Sequence, residues 1–333
     1  MIVSQDRSEV NARSVLLGPA EPVHDKRGEK ASRGEDWMEK IELRRGSLAF
    51  TAISESPAEP SAAEVVLCLH GFPDDARSFR HQGPALAGAG YRVISPYLRG
   101  YEPQSQPQDG DYSVLALAED VLAWIDQLEQ EKVHLVGHDW GAVIAYLAAA
   151  LAPDRFHSLT TMAVPPGARM NEAMRQVPSQ IRNSWYMGFF QLRGLADWRL
   201  ERDDWALIRR LWRDWSPSFQ LPDEEWSALR STFAAPGVKK AMLAYYRQNV
   251  SPAILLGWKQ PPAMKMTTVP VRTLAITGRL DGCMDTRLYD YAFSDEDFPA
   301  GYRVERIEGA GHFAHLEKPD VINGLLLDWM AAD

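Results

Sequence analysis

No apolar run in this sequence approaches the roughly 20 residues that a membrane-spanning helix needs, so no such span is expected. Cysteine is nearly missing. Only Cys68 and Cys283 occur in 333 residues, and their separation fits neither a metal-ligand nor a redox pair. Both are expected to be free thiols, with no metal implied. Val15-Leu16-Leu17 is too short for the core of a signal peptide, which leaves a cytoplasmic placement as the default. Cations are the minority charge: 36 Lys and Arg face 45 Asp and Glu, for a net charge of −9. No basic stripe is present, so a nucleic-acid partner is not expected. The acidic balance bears on solubility rather than on substrate. Internal repeats and low-complexity tracts are also missing.

What is present is an ordinary globular composition, 45% hydrophobic and 24% charged, laid out in a clear order. Residues 1–37 are mixed in charge and weakly apolar, and read as a disordered or loosely docked extension. Met38 is an alternative start, since the folded pattern begins just after it. Ile41 to Ser54 reads as a hairpin turning at Arg45-Gly46. Val65 to Leu69 is a continuous apolar run, the mark of a strand buried on both faces. Tyr91 to Ser95, Lys132 to Val136 and Leu159 to Val164 read as further strands, and Val114 to Leu128 carries helical periodicity. Strands alternating with helices imply a mostly parallel α/β sheet over 38–168. From 169 to 261 the chain is helical and rich in aromatics, with Trp185, Trp198, Trp205, Trp212, Trp215, Trp226 and Trp258. The alternation resumes over 262–333, with strands at Val271 to Thr277 and Tyr302 to Ile307 and a closing helix. The helical segment is expected to be a lid inserted over the C-terminal edge of the sheet, where open α/β folds place their sites.

Gly137-His138-Asp139-Trp140-Gly141 is the most informative stretch. It follows a strand and opens a helix, the setting of a nucleophile elbow, whose glycines let the turn tighten. The usual serine is replaced by Asp139. An aspartate also suits a helix N-terminus. As a nucleophile, however, a carboxylate attacking an acyl carbon would leave a reactive anhydride, whereas attack at a saturated carbon leaves an ordinary ester. The expected electrophile is an epoxide or a carbon–halogen bond.

Such a nucleophile needs a base to free it and an acid to orient the base, in chain order nucleophile, acid, histidine. His312, in the Gly-rich loop after the last strand, is the candidate base. His315 is expected to face a helix or solvent. Asp281, in the loop after the preceding strand, is the candidate acid, with Asp285 in reserve. Water attack on the ester needs an oxyanion hole. The backbone N–H groups of Trp140 and of Phe72, in His70-Gly71-Phe72-Pro73, are its candidate donors.

His-Gly-Phe-Pro at 70–73, Arg80-His81-Gln82, Ala89 to Val93, Arg99-Gly100-Tyr101 and Gly-His-Asp-Trp-Gly at 137–141 together resemble the epoxide hydrolase branch of the α/β-hydrolase superfamily, over about residues 38 to 333. The resemblance implies an α/β-hydrolase core with a helical lid. It also implies two lid tyrosines that donate to the epoxide oxygen. Ser184-Trp185-Tyr186 and Ala244 to Asn249 match the family's segments, which points to Tyr186 and Tyr246, with Tyr245 as the neighbour in competition. Phe72, Trp140 and Trp185 are expected to line the substrate pocket. The implied partners are a small apolar epoxide and water, with no cofactor, and a homodimer is possible in this family. A haloalkane dehalogenase, which shares the Asp/His/Asp machinery, is the alternative. The sequence departs from the common pattern at Glu102-Pro103-Gln104, where many relatives carry Gly and Ser in a loop that bears on substrate scope.

Overall fold

The computed structural model describes residues 38–59, 63–251 and 268–332. The expected extension over 1–37, Trp258 and the boundary at 261–262 lie outside the described residues. The hairpin forms from β1 (Met38–Arg45) and β2 (Leu48–Glu55). Its turn is Gly46-Ser47, one residue later than expected, because Arg45 pairs with Leu48 and Gly46 takes the positive φ of 58° that such a tight turn demands.

The remaining strands are β3 (Val65–Leu69), β4 (Arg92–Pro96), β5 (Val133–His138), β6 (Phe156–Met162), β7 (Thr273–Gly278) and β8 (Tyr302–Ile307). All eight join one sheet in the order β1-β2-β4-β3-β5-β6-β7-β8. β1–β2 and β2–β4 are antiparallel, and every later pair is parallel. β3, β5 and β7 are buried at every residue, as expected where helices cover both faces of a parallel sheet, and β3 is apolar throughout.

The chain leaves β3 to one side for β4 and returns on the other side for β5. Loops leaving neighbouring strands in opposite directions open a crevice at their carboxyl ends. The loops after β3 and β5 carry Phe72 and Asp139, and those after β7 and β8 carry Asp281 and His312. Topology alone therefore brings four distant segments to one edge.

α1 (Gln82–Gly88), α2 (Val114–Gln127) and α3 (Trp140–Leu151) pack around the sheet. The side chain of Ser113 caps α2 by accepting from the Ala116 N–H. Between β6 and β7 come α4 (Met170–Gln176), α5 (Ser179–Asn183), α6 (Trp185–Phe190), α7 (Leu195–Trp215), α8 (Asp223–Ala234) and α9 (Val238–Asn249). α7 is interrupted at Arg202–Trp205, where Asp203, Asp204 and Trp205 adopt positive φ. Among the described residues no helix is long and apolar enough to cross a membrane. Glu102 accepts the Thr51 N–H at 2.8 Å and so ties its loop to β2.

Candidate active site

The elbow forms because its neighbours leave no room for side chains. A methyl at Gly137 would overlap the Gly141 backbone, and one at Gly141 would overlap the Leu69 carbonyl. Asp139 is itself forced to φ 52°, ψ −116°, a strained conformation for a residue with a Cβ. Across the crevice a methyl at Gly71 would strike the Asp139 side chain, so only glycine lets the loop after β3 come this close. The close approach lets the Phe72 N–H donate to Asp139 Oδ1 at 2.7 Å. Trp140 is the first residue of α3, and first-turn amides have no acceptor within their own helix.

His312 bridges two carboxylates. Its Nδ1 lies 3.0 Å from Asp281 Oδ2, and its Nε2 lies 3.6 Å from Asp139 Oδ2. Asp281 Oδ1 accepts the backbone N–H groups of Cys283 and Met284 at 2.7 and 2.9 Å. Burial disfavours an imidazolium at His312, but Asp281, Cys283 and Asp139 outweigh it and hold its pKa well above the ordinary value. Burial also raises Asp281, against the pull of His312. The pair as a whole holds its shared proton on the imidazole side to high pH. Asp285 has a different task. It caps the turn at Thr286 and pairs with Arg287, which draws its pKa down to about 2.

The inserted helices supply an aromatic wall. The Tyr246 ring packs 5.2 Å from both Trp140 and Phe72, and 5.7 Å from Tyr186. Tyr186 packs 4.8 Å from Trp215. Burial raises both phenols well above their usual range, so both are hydroxyl donors at neutral pH. The Tyr246 hydroxyl has no hydrogen-bond partner among the described residues, and the Tyr186 hydroxyl meets only the Cys283 thiol, at 3.4 Å. Tyr245 instead donates to the Arg99 carbonyl at 2.8 Å and is thereby committed. Trp185 does not join the others. It is 41% exposed, beneath the Arg210 guanidinium, because successive helical residues point about 100° apart.

Several participants escaped the sequence reading. His315 is fully buried, not turned to solvent. It bonds Ser78 Oγ at 2.7 Å and packs 4.5 Å from His138. His138 Nε2 donates to the His312 carbonyl at 3.0 Å, and burial pushes its pKa down to about 3, so it is a neutral prop behind His312. Its place beside Asp139 in the motif was the available signal. The Trp215 carbonyl accepts both the Gly282 and the His312 N–H at 3.1 Å, and Ser216 Oγ accepts the Phe313 N–H at 3.1 Å. The end of α7 thus clamps the acid loop to the base loop. A backbone carbonyl leaves no mark in sequence. Cys283, Asp281 and His312 offer one donor atom each within 4.8 Å of one another, a possible cation site that linear spacing did not reveal.

A family model described as alpha/beta hydrolase fold matches residues 64–319. Epoxide hydrolase A of Mycobacterium tuberculosis is 30% identical over 301 residues, covering 82% of this chain and 91% of its own length. Epoxide hydrolase 1 of Siraitia grosvenorii is 30% identical over 321 residues, covering 88% and 99%. Among solved structures, a Bacillus megaterium epoxide hydrolase in complex with an inhibitor superposes with a TM-score of 0.77 at 25% identity, over 88% of this chain and 100% of that one. The chain belongs to the α/β-hydrolase family and is an enzyme of the hydrolase class. Within that family it stands on the branch of relatives named epoxide hydrolases.

Proposed function

We propose that this chain is an epoxide hydrolase that opens an apolar epoxide through an ester on Asp139 and releases a vicinal diol. The observation that carries the reading is a carboxylate, not a hydroxyl, at the elbow, bonded on one oxygen by the Phe72 N–H and facing His312 on the other. Helices α4–α9 act as the lid in this reading, and their buried aromatics favour an apolar substrate.

In the first half-reaction Asp139 Oδ2 attacks an epoxide carbon. The C–O bond breaks, and its electron pair goes to an oxygen that becomes an alkoxide. An alkoxide is more basic than a phenolate, so Tyr186 and Tyr246 stabilise and protonate it. Positioned acid catalysis of this kind contributes about 10² to 10⁴-fold.

Ester formation removes the negative charge of Asp139. The Asp139 carboxylate is one of the groups that hold a proton on His312. Alkylation therefore makes the imidazolium more acidic at the moment a base is needed. His312, steadied by Asp281, then takes a proton from the water that attacks Asp139 Cγ. Oδ1 becomes the oxyanion and stays in the hole formed by the Phe72 and Trp140 N–H groups. Collapse breaks the Cγ–Oδ2 bond, His312 returns its proton to the departing oxygen, and the diol leaves with one water oxygen retained in the carboxylate.

A single turnover in ¹⁸O-water with enzyme in excess tests this. Label is expected in the Asp139 carboxylate, and Asp139→Ala should lose on the order of 10⁶-fold in rate, as loss of a nucleophile does elsewhere. Label confined to the diol would mean direct water attack and would end the ester mechanism. Halide release from haloalkanes without diol formation from any epoxide would replace the reading with a dehalogenase.

A further inference from the structure

The acid loop carries a thiol for which the reaction above has no use. Cys283 is fully buried two residues after Asp281, with its sulfur toward the machinery. It offers one donor atom, as Asp281 and His312 do, and the three lie within 4.8 Å of one another. Thiolate, imidazole and carboxylate are the ligands zinc prefers, at bond lengths of about 2.0–2.3 Å. A tetrahedral ion at those lengths holds its ligand atoms about 3–4 Å apart. The Asp281 Oδ2 to His312 Nδ1 separation of 3.0 Å is already close to that. A rotation about the Cys283 side-chain torsion can bring in the sulfur. The buried His312 Nε2, which makes no hydrogen bond among the described residues and lies 3.6 Å from Asp139 Oδ2, is the ring's other donor atom.

We infer that Asp281, Cys283 and His312 form a binding site for a thiophilic divalent cation such as zinc or cadmium, and that the bound cation blocks the base. The thiol proton and one of the two imidazolium protons leave to solvent, the sulfur binds as thiolate, the carboxylate keeps its charge and the imidazole binds as a neutral ring. If the cation takes Nδ1, the ring proton must sit on Nε2, which then cannot accept one from water. If it takes Nε2, the lone pair is used directly. Either way ester hydrolysis stops while the Asp139 carboxylate stays available for alkylation. Magnesium and calcium, which select oxygen ligands, should not compete. The blocking effect rests on the reading of His312 as base. The binding does not.

The test starts from chelator-treated full-length enzyme. Cadmium is titrated while the ultraviolet thiolate-to-cadmium charge-transfer band is followed, and zinc is titrated by calorimetry. Wild type, Cys283→Ser, Cys283→Ala and, as control, Cys68→Ala are compared. One cation per chain with the band is expected in wild type and Cys68→Ala. The Cys283 variants should lose the band and bind zinc at least about 100-fold more weakly. Persistence of the band in the Cys283 variants, or equal zinc affinity in all four proteins, would overturn the site. A measurement on wild type alone guards against misfolded variants: zinc should slow alkylation of Cys283 by iodoacetamide, as read by peptide mass, and unchanged alkylation counts against the site. With epoxide present, zinc should trap a mass adduct on Asp139. Zinc binding that needs Cys283 but leaves hydrolysis unslowed would overturn the blocking effect and leave the site standing. Failure to open any epoxide, with binding intact, would overturn the proposed function alone.

Discussion

Asp281, on a loop leaving the sheet, accepts two backbone N–H groups on one oxygen and faces His312 with the other. Tyr246, on α9, has a buried hydroxyl with no partner among the described residues. Both groups line the same site, yet they are held differently. A buried charge without hydrogen bonds is very costly, so the loops must surround each carboxylate with donors before the fold is stable. A hydroxyl left unpaired costs only about 1–3 kcal/mol. Ring packing against Phe72, Trp140, Tyr186 and Phe190 can carry that. The carboxylates of the charged half are thus tied to backbone N–H groups without a ligand, whereas the Tyr246 hydroxyl is left to be completed by one.

The largest expected effect strikes the charged half. Asp281→Asn should slow hydrolysis of the ester by on the order of 10³ to 10⁴-fold, as loss of the equivalent charge does in other triads. Ester formation should be much less affected. The sign of the pH effect follows from the charges. Asp281 raises the His312 pKa, so removing its charge must lower it. The rising limb of single-turnover hydrolysis should therefore move to lower pH in the variant. A limb that stayed in place would mean that Asp281 only orients the ring.

The tyrosine half gives the next effect. Tyr186→Phe and Tyr246→Phe keep ring volume and should leave the melting temperature nearly unchanged, since neither hydroxyl is strongly bonded. Each should lose part of the acid contribution, and the double variant about 10² to 10⁴-fold in epoxide opening. Rapid-quench detection of the Asp139 adduct separates this from hydrolysis. Wild-type opening by the double variant would show that the hydroxyls do not act on the leaving oxygen.

The smallest catalytic effect should come from Tyr245→Phe, adjacent in sequence to Tyr246. Its hydroxyl is committed to the Arg99 carbonyl, so stability should fall by about 1–3 kcal/mol while epoxide opening changes by less than about tenfold. Thermal unfolding beside adduct formation checks both. A larger loss of opening in Tyr245→Phe than in Tyr246→Phe would reverse the assignment.

Much of this was legible from local pattern. An unbroken apolar run marked β3, and Gly137 and Gly141 marked the elbow, because burial on both faces and backbone crowding act on near neighbours in the chain. The order of motifs along the chain pointed to the loop after β7 for the acid, and there the structure brings Asp281 to His312 while Asp285 pairs with Arg287. Adjacent lid aromatics were harder to read. Trp185 and Tyr186 share a helix but point to different surroundings, and only the packing of α6 decides which is buried.

By itself, then, the sequence determined the sheet, the elbow, the carboxylate at its tip and the chain order Asp139, Asp281, His312. Each depends on residue type and on distances of a few residues along the chain. The tertiary structure alone decided that His138 and His315 lie buried behind the base and that the Trp215 carbonyl ties two loops together. It also brought the Cys283 thiol beside residues 2 and 29 positions away in the chain. Such contacts join segments through space, and no spacing rule along a chain encodes them.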